Sequence, residues 1–327
     1  MGDKWLYLYY PWMQVKRKIF SIKYLTIILL IGFISVLYTA NLRKMCYLTG
    51  SAVAPWLLPF FLSLNFYSMI YCALYMYFYS DAPFIQRNSM YHVIRCGRIK
   101  WGIIQIESIA IGSLIFNVVS FIVSITVLVP YVDFETGWGK ILYTLSRTDA
   151  WRSYEIAFNV PYDVIGKYTP LQVMTLTLLL LWLAGNCIGL MMFAVSLWLG
   201  RNAAVICGSA WCVLPMILED YISVWAPFMT HFSPLSWIHV LDIGRFEYRL
   251  PMLPDLSYIL IANVILCVLF SAAALMKCEN YFLNSKKKEN LSYWQATTER
   301  ISTFYAMRST KRRWDNKKDS ASDFFST

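Results

Sequence analysis

Two stretches decide the fold: residues 103–129, IIQIESIAIGSLIFNVVSFIVSITVLV, and residues 171–199, LQVMTLTLLLLWLAGNCIGLMMFAVSLWL. The first holds one ionisable side chain, Glu107, and the second holds none. A bilayer core of ~30 Å takes roughly 20 helical residues, so each run is long enough to cross one. Working outward, 203–218 and 256–276 read the same way toward the C-terminus, and 24–40 and 51–78 toward the N-terminus. That makes six spans in an all-α integral membrane protein. Composition agrees: the chain is 58% hydrophobic and 15% charged, against about a quarter charged in soluble domains. With so few charges in the spans, energised work must draw on a source outside the bilayer.

Six spans put both termini on one side, and 21 of the 29 Lys and Arg residues fall in segments on that side. Positive charge is retained in the cytoplasm, so both ends are expected to be cytosolic. The stretch 221–241, YISVWAPFMTHFSPLSWIHVL, is apolar enough to compete as a seventh span. Pro227 and Pro234 would break a continuous helix, and His231 would sit at mid-bilayer without a partner. Short re-entrant helices dipping in from the outer face fit it better. The eight cysteines show no metal-ligand spacing and read as small core residues.

Residues 1–23 carry an interfacial helix with Trp12, Val15, Ile19 and Ile22 along one face and Arg17 and Lys18 on the other. Pro11 is expected to confine that helix to the second half of the segment. The segment has no small-residue cleavage site after the first span and reads as an uncleaved anchor. In the loop 80–100, SDAPFIQRNSMYHVIRCGRIK, Asp81 and Pro83 suit a helix start and Gly97 a helix stop. Phe84, Arg87, Asn88, Tyr91 and Arg95 then share one face, and Arg98 marks the membrane boundary. An aromatic and arginine-rich face of this kind is suited to anchoring a protein partner; the alternative is an ordinary basic loop that obeys the positive-inside rule. The outer loop 130–170 is long enough for a small cap of short helices. Gly185 and Gly189 predict close helix packing, within or between subunits. Residues 200–202 make a tight turn, and the tail 277–327 is basic and cytosolic.

The chemistry of most enzymes is missing from the residues. There is no G-x-x-x-x-G-K-[ST] and no H-E-x-x-H, and His92, His231 and His239 are scattered, so neither nucleotide, metal nor cofactor is expected on this chain. Glu107 lies one turn from a span end, and Glu219 with Asp220 reads as an acidic helix end in water. Asn65, Asn117 and Asn186 are the notable polar residues within spans, and interhelical hydrogen bonding is their expected role. Nothing resembles a nucleic-acid module.

Four features in order resemble the permease subunit of type-2 ABC exporters. They are the N-terminal amphipathic helix, the helical loop after span two, the short turn 200–202, and the broken aromatic segment with the run Ser233–Trp237. The resemblance implies a homodimer or heterodimer with a second permease in a bacterial plasma membrane, working with a separate ABC ATPase that holds ATP and Mg. It makes 84–98 the coupling helix, with Phe84, Arg87, Asn88, Tyr91, Arg95 and Arg98 facing the ATPase. Pro227, His231, Pro234 and Trp237 become the outer gate. An amphipathic cargo (drug, peptide, lipid or polymer) would be exported, with membrane lipid around the pathway. The alternatives are a polytopic membrane enzyme acting on lipid or peptide, and a non-catalytic scaffold or immunity protein.

Overall fold

The structure is a computed structural model that describes residues 3–82, 97–221, 231–233, 236–243 and 254–278. The described helices belong to one unit, Met1–Lys277; a second, Cys278–Thr327, lies almost wholly outside the described residues. Among the described residues, four helices are long and apolar enough to cross a membrane. They are α2 (Ile22–Thr49), α5 (Arg98–Thr126), α9 (Pro170–Leu199) and α11 (Leu256–Cys278). The chain is a multi-pass membrane protein by that measure.

The remaining elements depart from the run lengths in sequence. α1 spans Asp3–Ile19 and runs straight through Pro11, so the proline does not confine the helix. Ser21 then caps a new helix by accepting the Tyr24 N–H. Ile22 therefore belongs to α2, and the expected four-residue stripe is cut short: Val15 is buried, whereas Trp12 is half-exposed and Ile22 exposed. Lys18 also turns inward, its ammonium 5.4 Å from the Tyr79 ring centre and 5.6 Å from that of Phe78. α2 continues past Ala40 for nine residues because Leu42, Met45 and Cys46 still find a core, and it stops where Gly50 takes a left-handed φ of 61°.

The expected span 51–78 is not one helix. Its first residues are extended, with the Val53 N–H donating to the Tyr131 carbonyl at 2.8 Å and Asp133 N–H returning to Val53 at 3.0 Å. A five-residue helix α3 (Leu58–Leu62) and a fifteen-residue helix α4 (Asn65–Tyr79) follow, divided at Ser63 and Leu64. Apolarity predicts burial; it does not see that Pro55 and Pro59 disfavour a helix through the first residues of the run, and neither proline accounts for the division at Ser63 and Leu64. α10 (Arg201–Tyr221) is long enough to cross at ~1.5 Å per residue, but it is less apolar than the other four and charged at both ends. Three short helices, α6 (Gly139–Arg147), α7 (Ala150–Ser153) and α8 (Tyr162–Lys167), make up the expected cap in the 130–170 loop. Phe158 seats this region on α3, stacking on Phe60 and meeting Phe61 edge-on at 5.5 Å.

α9 is the most buried of the long helices and packs against α4, α5 and α10. Its glycines explain how. A Cβ on Gly185 would lie 2.5 Å from the Tyr75 ring, and one on Gly189 would lie 2.7 Å from Ile109 Cγ2. The small pair thus serves contact within the chain. On α4, Tyr67, Tyr71, Tyr75 and Tyr79 recur every four residues, all buried. Tyr71 O–H (3.2 Å) and Tyr75 O–H both donate to Asn117 Oδ1 on α5, and Ser113 O–H donates to Asn186 Oδ1 on α9 at 2.7 Å. Two of the three span asparagines therefore do join helices. Asn117→Leu leaves the Tyr71 and Tyr75 hydroxyls short of an acceptor and should cost about 1–3 kcal/mol, read as a lower unfolding midpoint of the purified protein in detergent. A midpoint equal to wild type would show that the amide holds nothing.

Of the described cysteines none is in a disulfide, and Cys207 is exposed, so it is not the core residue expected.

Candidate functional site

Two places bring together the residues singled out in the sequence. The first is the root of the 83–96 loop. α4 ends at Tyr79, and Ser80 and Asp81 follow at its tip. Lys23 from the first turn of α2 reaches across, its Nζ 2.6 Å from Asp81 Oδ1 and 3.1 Å from Ser80 Oγ. Arg201, opening α10 after the Gly200 turn, donates Nε–H to the Ser80 carbonyl at 2.8 Å and sets Nη2 3.5 Å from Asp81 Oδ1. Lys23 also lies over the Tyr77 ring, 5.3 Å from its centre. Burial lowers the neighbouring Lys18 ammonium to about 7, with Asp81 drawing it back up and Lys23 adding to the fall.

Exposed ion pairs of this kind contribute about 0–1 kcal/mol each, so the junction does little for global stability. What it does is geometric. One carboxylate and one carbonyl hold three separate elements in register: the start of α2, the end of α4 and the α9–α10 turn. The residues beyond Ala82 leave from that fixed point and return at Gly97, whose φ of 86° opens α5. Arg98 is the first residue of α5 and half-buried. Phe84, Arg87, Asn88, Tyr91 and Arg95 lie outside the described residues. Arg201 entered the sequence reading only as a charge in a topology count, and Lys23 as that and as a snorkelling residue at the border of the N-terminal helix's apolar stripe. The signal available was their position, one at each helix start facing the only acid of the 80–100 loop.

The second place is an aromatic cleft. Trp211 lies ten residues along α10 from Arg201, about 15 Å at 1.5 Å per residue. It meets His231, Phe232 and Trp237 of the broken segment and Tyr258 of α11, enclosing a cavity of about 500 Å³. The segment is held from several directions. Trp237, only 2% exposed, packs with Leu180 of α9 and Ile259 of α11. His239 Nε2 lies 3.0 Å from Ser68 Oγ of α4, and both are buried. His231 and Trp237 line the same cavity, while Pro227 and Pro234 lie outside the described residues. Trp211 and Tyr258 were missed, because they come from helices 20 residues or more away in sequence and nothing local marks them. No group of His, Cys, Asp or Glu suited to a metal ion occurs among the described residues.

No protein-family model, curated protein or solved structure matches the chain.

Proposed function

We propose that the chain is the permease subunit of an ABC exporter, forming the membrane pathway for an amphipathic substrate. A separate ATPase burns the fuel and holds ATP and Mg; two permeases, identical or homologous, share the pathway in the plasma membrane of a bacterium. The ATPase grips the face formed by Phe84, Arg87, Asn88, Tyr91, Arg95 and Arg98. His231 and Trp237, with Pro227 and Pro234, gate the far side.

The observation that carries this reading is the junction at Asp81. A loop that transmits force needs a root that cannot pivot freely, and here the root is tied to both α2 and the α9–α10 turn. A push on the loop therefore reaches α10, which runs from the junction at Arg201 to the aromatic cleft at Trp211.

Asp81→Asn tests it. The substitution should shift the unfolding midpoint by no more than the equivalent of about 1 kcal/mol. It should lower retention of the co-purifying P-loop ATPase, or its ATP-driven transport, at least fivefold. Full retention together with full transport would remove the junction from the mechanism.

A further inference from the structure

We propose that the aromatic cleft between α10, residues 231–237 and α11 holds one acyl chain of a membrane phospholipid. The walls of the cleft carry this inference whether or not the chain works with an ATPase.

The cleft offers a ligand almost no polar chemistry. Two of the four amphipathic wall residues direct their donors to the neighbouring backbone: Trp211 Nε1–H donates to the Phe232 carbonyl at 3.3 Å, and Tyr258 O–H to the His231 carbonyl at 2.9 Å. Their rings are left as apolar surface. The His231 ring meets the edge of Tyr258 at 5.2 Å, and no carboxylate is among the described residues that line the cavity. A headgroup, a peptide or a sugar would lose its hydration there without replacement, and a cation would find no counter-charge. A hydrocarbon chain loses nothing.

The direction of entry follows from α11. Ile261 and Ile265 line the cleft and are yet 61% and 52% exposed. Val268 and Leu269 continue the same exposed stripe down the helix. In a spanning helix that stripe faces hydrocarbon, so the cleft opens sideways into the bilayer and not only toward water. Its volume of about 500 Å³ lies within the ~300–1,000 Å³ of small-ligand sites, and a cavity open to hydrocarbon fills with it. Because lipid tails are as apolar as the walls, the hydrophobic effect gives little preference for the cleft over the bulk bilayer. Selectivity comes from dispersion contacts with closely spaced rings, so enrichment over ordinary annular lipid should be several-fold and not orders of magnitude.

The test uses the full chain in lipid nanodiscs containing a phosphatidylcholine with a diazirine in one acyl chain. After irradiation the labelled residues are mapped by mass spectrometry. Labelling at Trp211, Tyr258 and Ile261 is expected to exceed that at Leu29 and Phe33, two exposed residues of α2, at least fivefold. Ala262→Phe places a ring in the cleft and should bring cleft labelling down to the α2 level without altering labelling of α2. Ile261→Trp serves the same purpose from the outer wall should the first variant fail to fold. Equal labelling of cleft and α2 in the wild type, or cleft labelling that survives the plug, means annular lipid only and overturns the proposal. Cross-links from cleft residues to a second copy of the chain, in place of lipid, overturn it as well.

Discussion

Gly185→Leu is expected to abolish recovery of monodisperse protein from the membrane, and Gly185→Ala to lower the unfolding midpoint by the equivalent of about 1–3 kcal/mol. The reason is the ring opposite. A methyl at position 185 would come within 2.5 Å of Tyr75 Cε1 and 2.6 Å of its Cζ. Tyr75 has nowhere to go. Its ring stacks on Phe116 at 4.3 Å and meets Tyr71 edge-on at 5.5 Å, while its hydroxyl is held by Asn117. Either α9 moves off α4, and with it the Gly189 contact to Ile109, or the tyrosine column breaks. Gly208 provides the control. A Cβ there meets Met76 Sδ at 3.1 Å, a flexible thioether that can swing aside, so Gly208→Ala should be tolerated. Recovery of Gly185→Leu, and the unfolding midpoints of the purified Gly185→Ala and Gly208→Ala proteins, settle the order. A stable Gly185→Leu protein would mean that the α4–α9 seam is wrongly placed.

Arg87→Glu combined with Tyr91→Ala is the second large effect. Arg and Tyr are the residues that most often dominate protein interfaces, each costing about 2 kcal/mol or more on loss, and ~1.4 kcal/mol is tenfold in affinity. The pair should therefore lower ATPase retention by at least a hundredfold and abolish ATP-driven transport. Membrane insertion and thermal midpoint should stay at wild type, since the proposal assigns both side chains to the partner and not to the chain's own core. Undiminished co-purification would detach the loop from the ATPase and leave it as a basic surface segment.

How much could be read in advance depends on what decides each element. The run 171–199 and the helix Pro170–Leu199 coincide because the sequence carries its own stop signals: a Thr169 capping box closed by Gln172, Pro170 at the first turn and Gly200 at the end. Residues 256–276 likewise become Leu256–Cys278. The run 51–78 misled because hydropathy reports where a segment sits and says nothing of whether its backbone forms one ladder: Pro55 and Pro59 bear on its start, while the break at Ser63 and Leu64 has no such marker. The polar joints are hidden for a related reason. Tyr67, Tyr71, Tyr75 and Tyr79 score as near-apolar, so their four-residue spacing passes for a core stripe, although their hydroxyls decide which helices they join. Asn117 and Asn186 stood out because an amide in a span has few other uses. Of the two candidate sites, His231 and Trp237 were legible from the broken aromatic run. Trp211, Tyr258 and the Lys23–Asp81–Arg201 junction depend on which helices become neighbours, and a single sequence does not carry that.

Photolabelling with azido-ATP addresses the central claim most directly, applied to the complex purified from native membrane through a tag on this chain. The label should appear on a separate co-purifying polypeptide that contains a P-loop, and this chain should remain unlabelled. Competable label on the tagged chain, or a complex with no nucleotide-binding companion at all, would contradict the account.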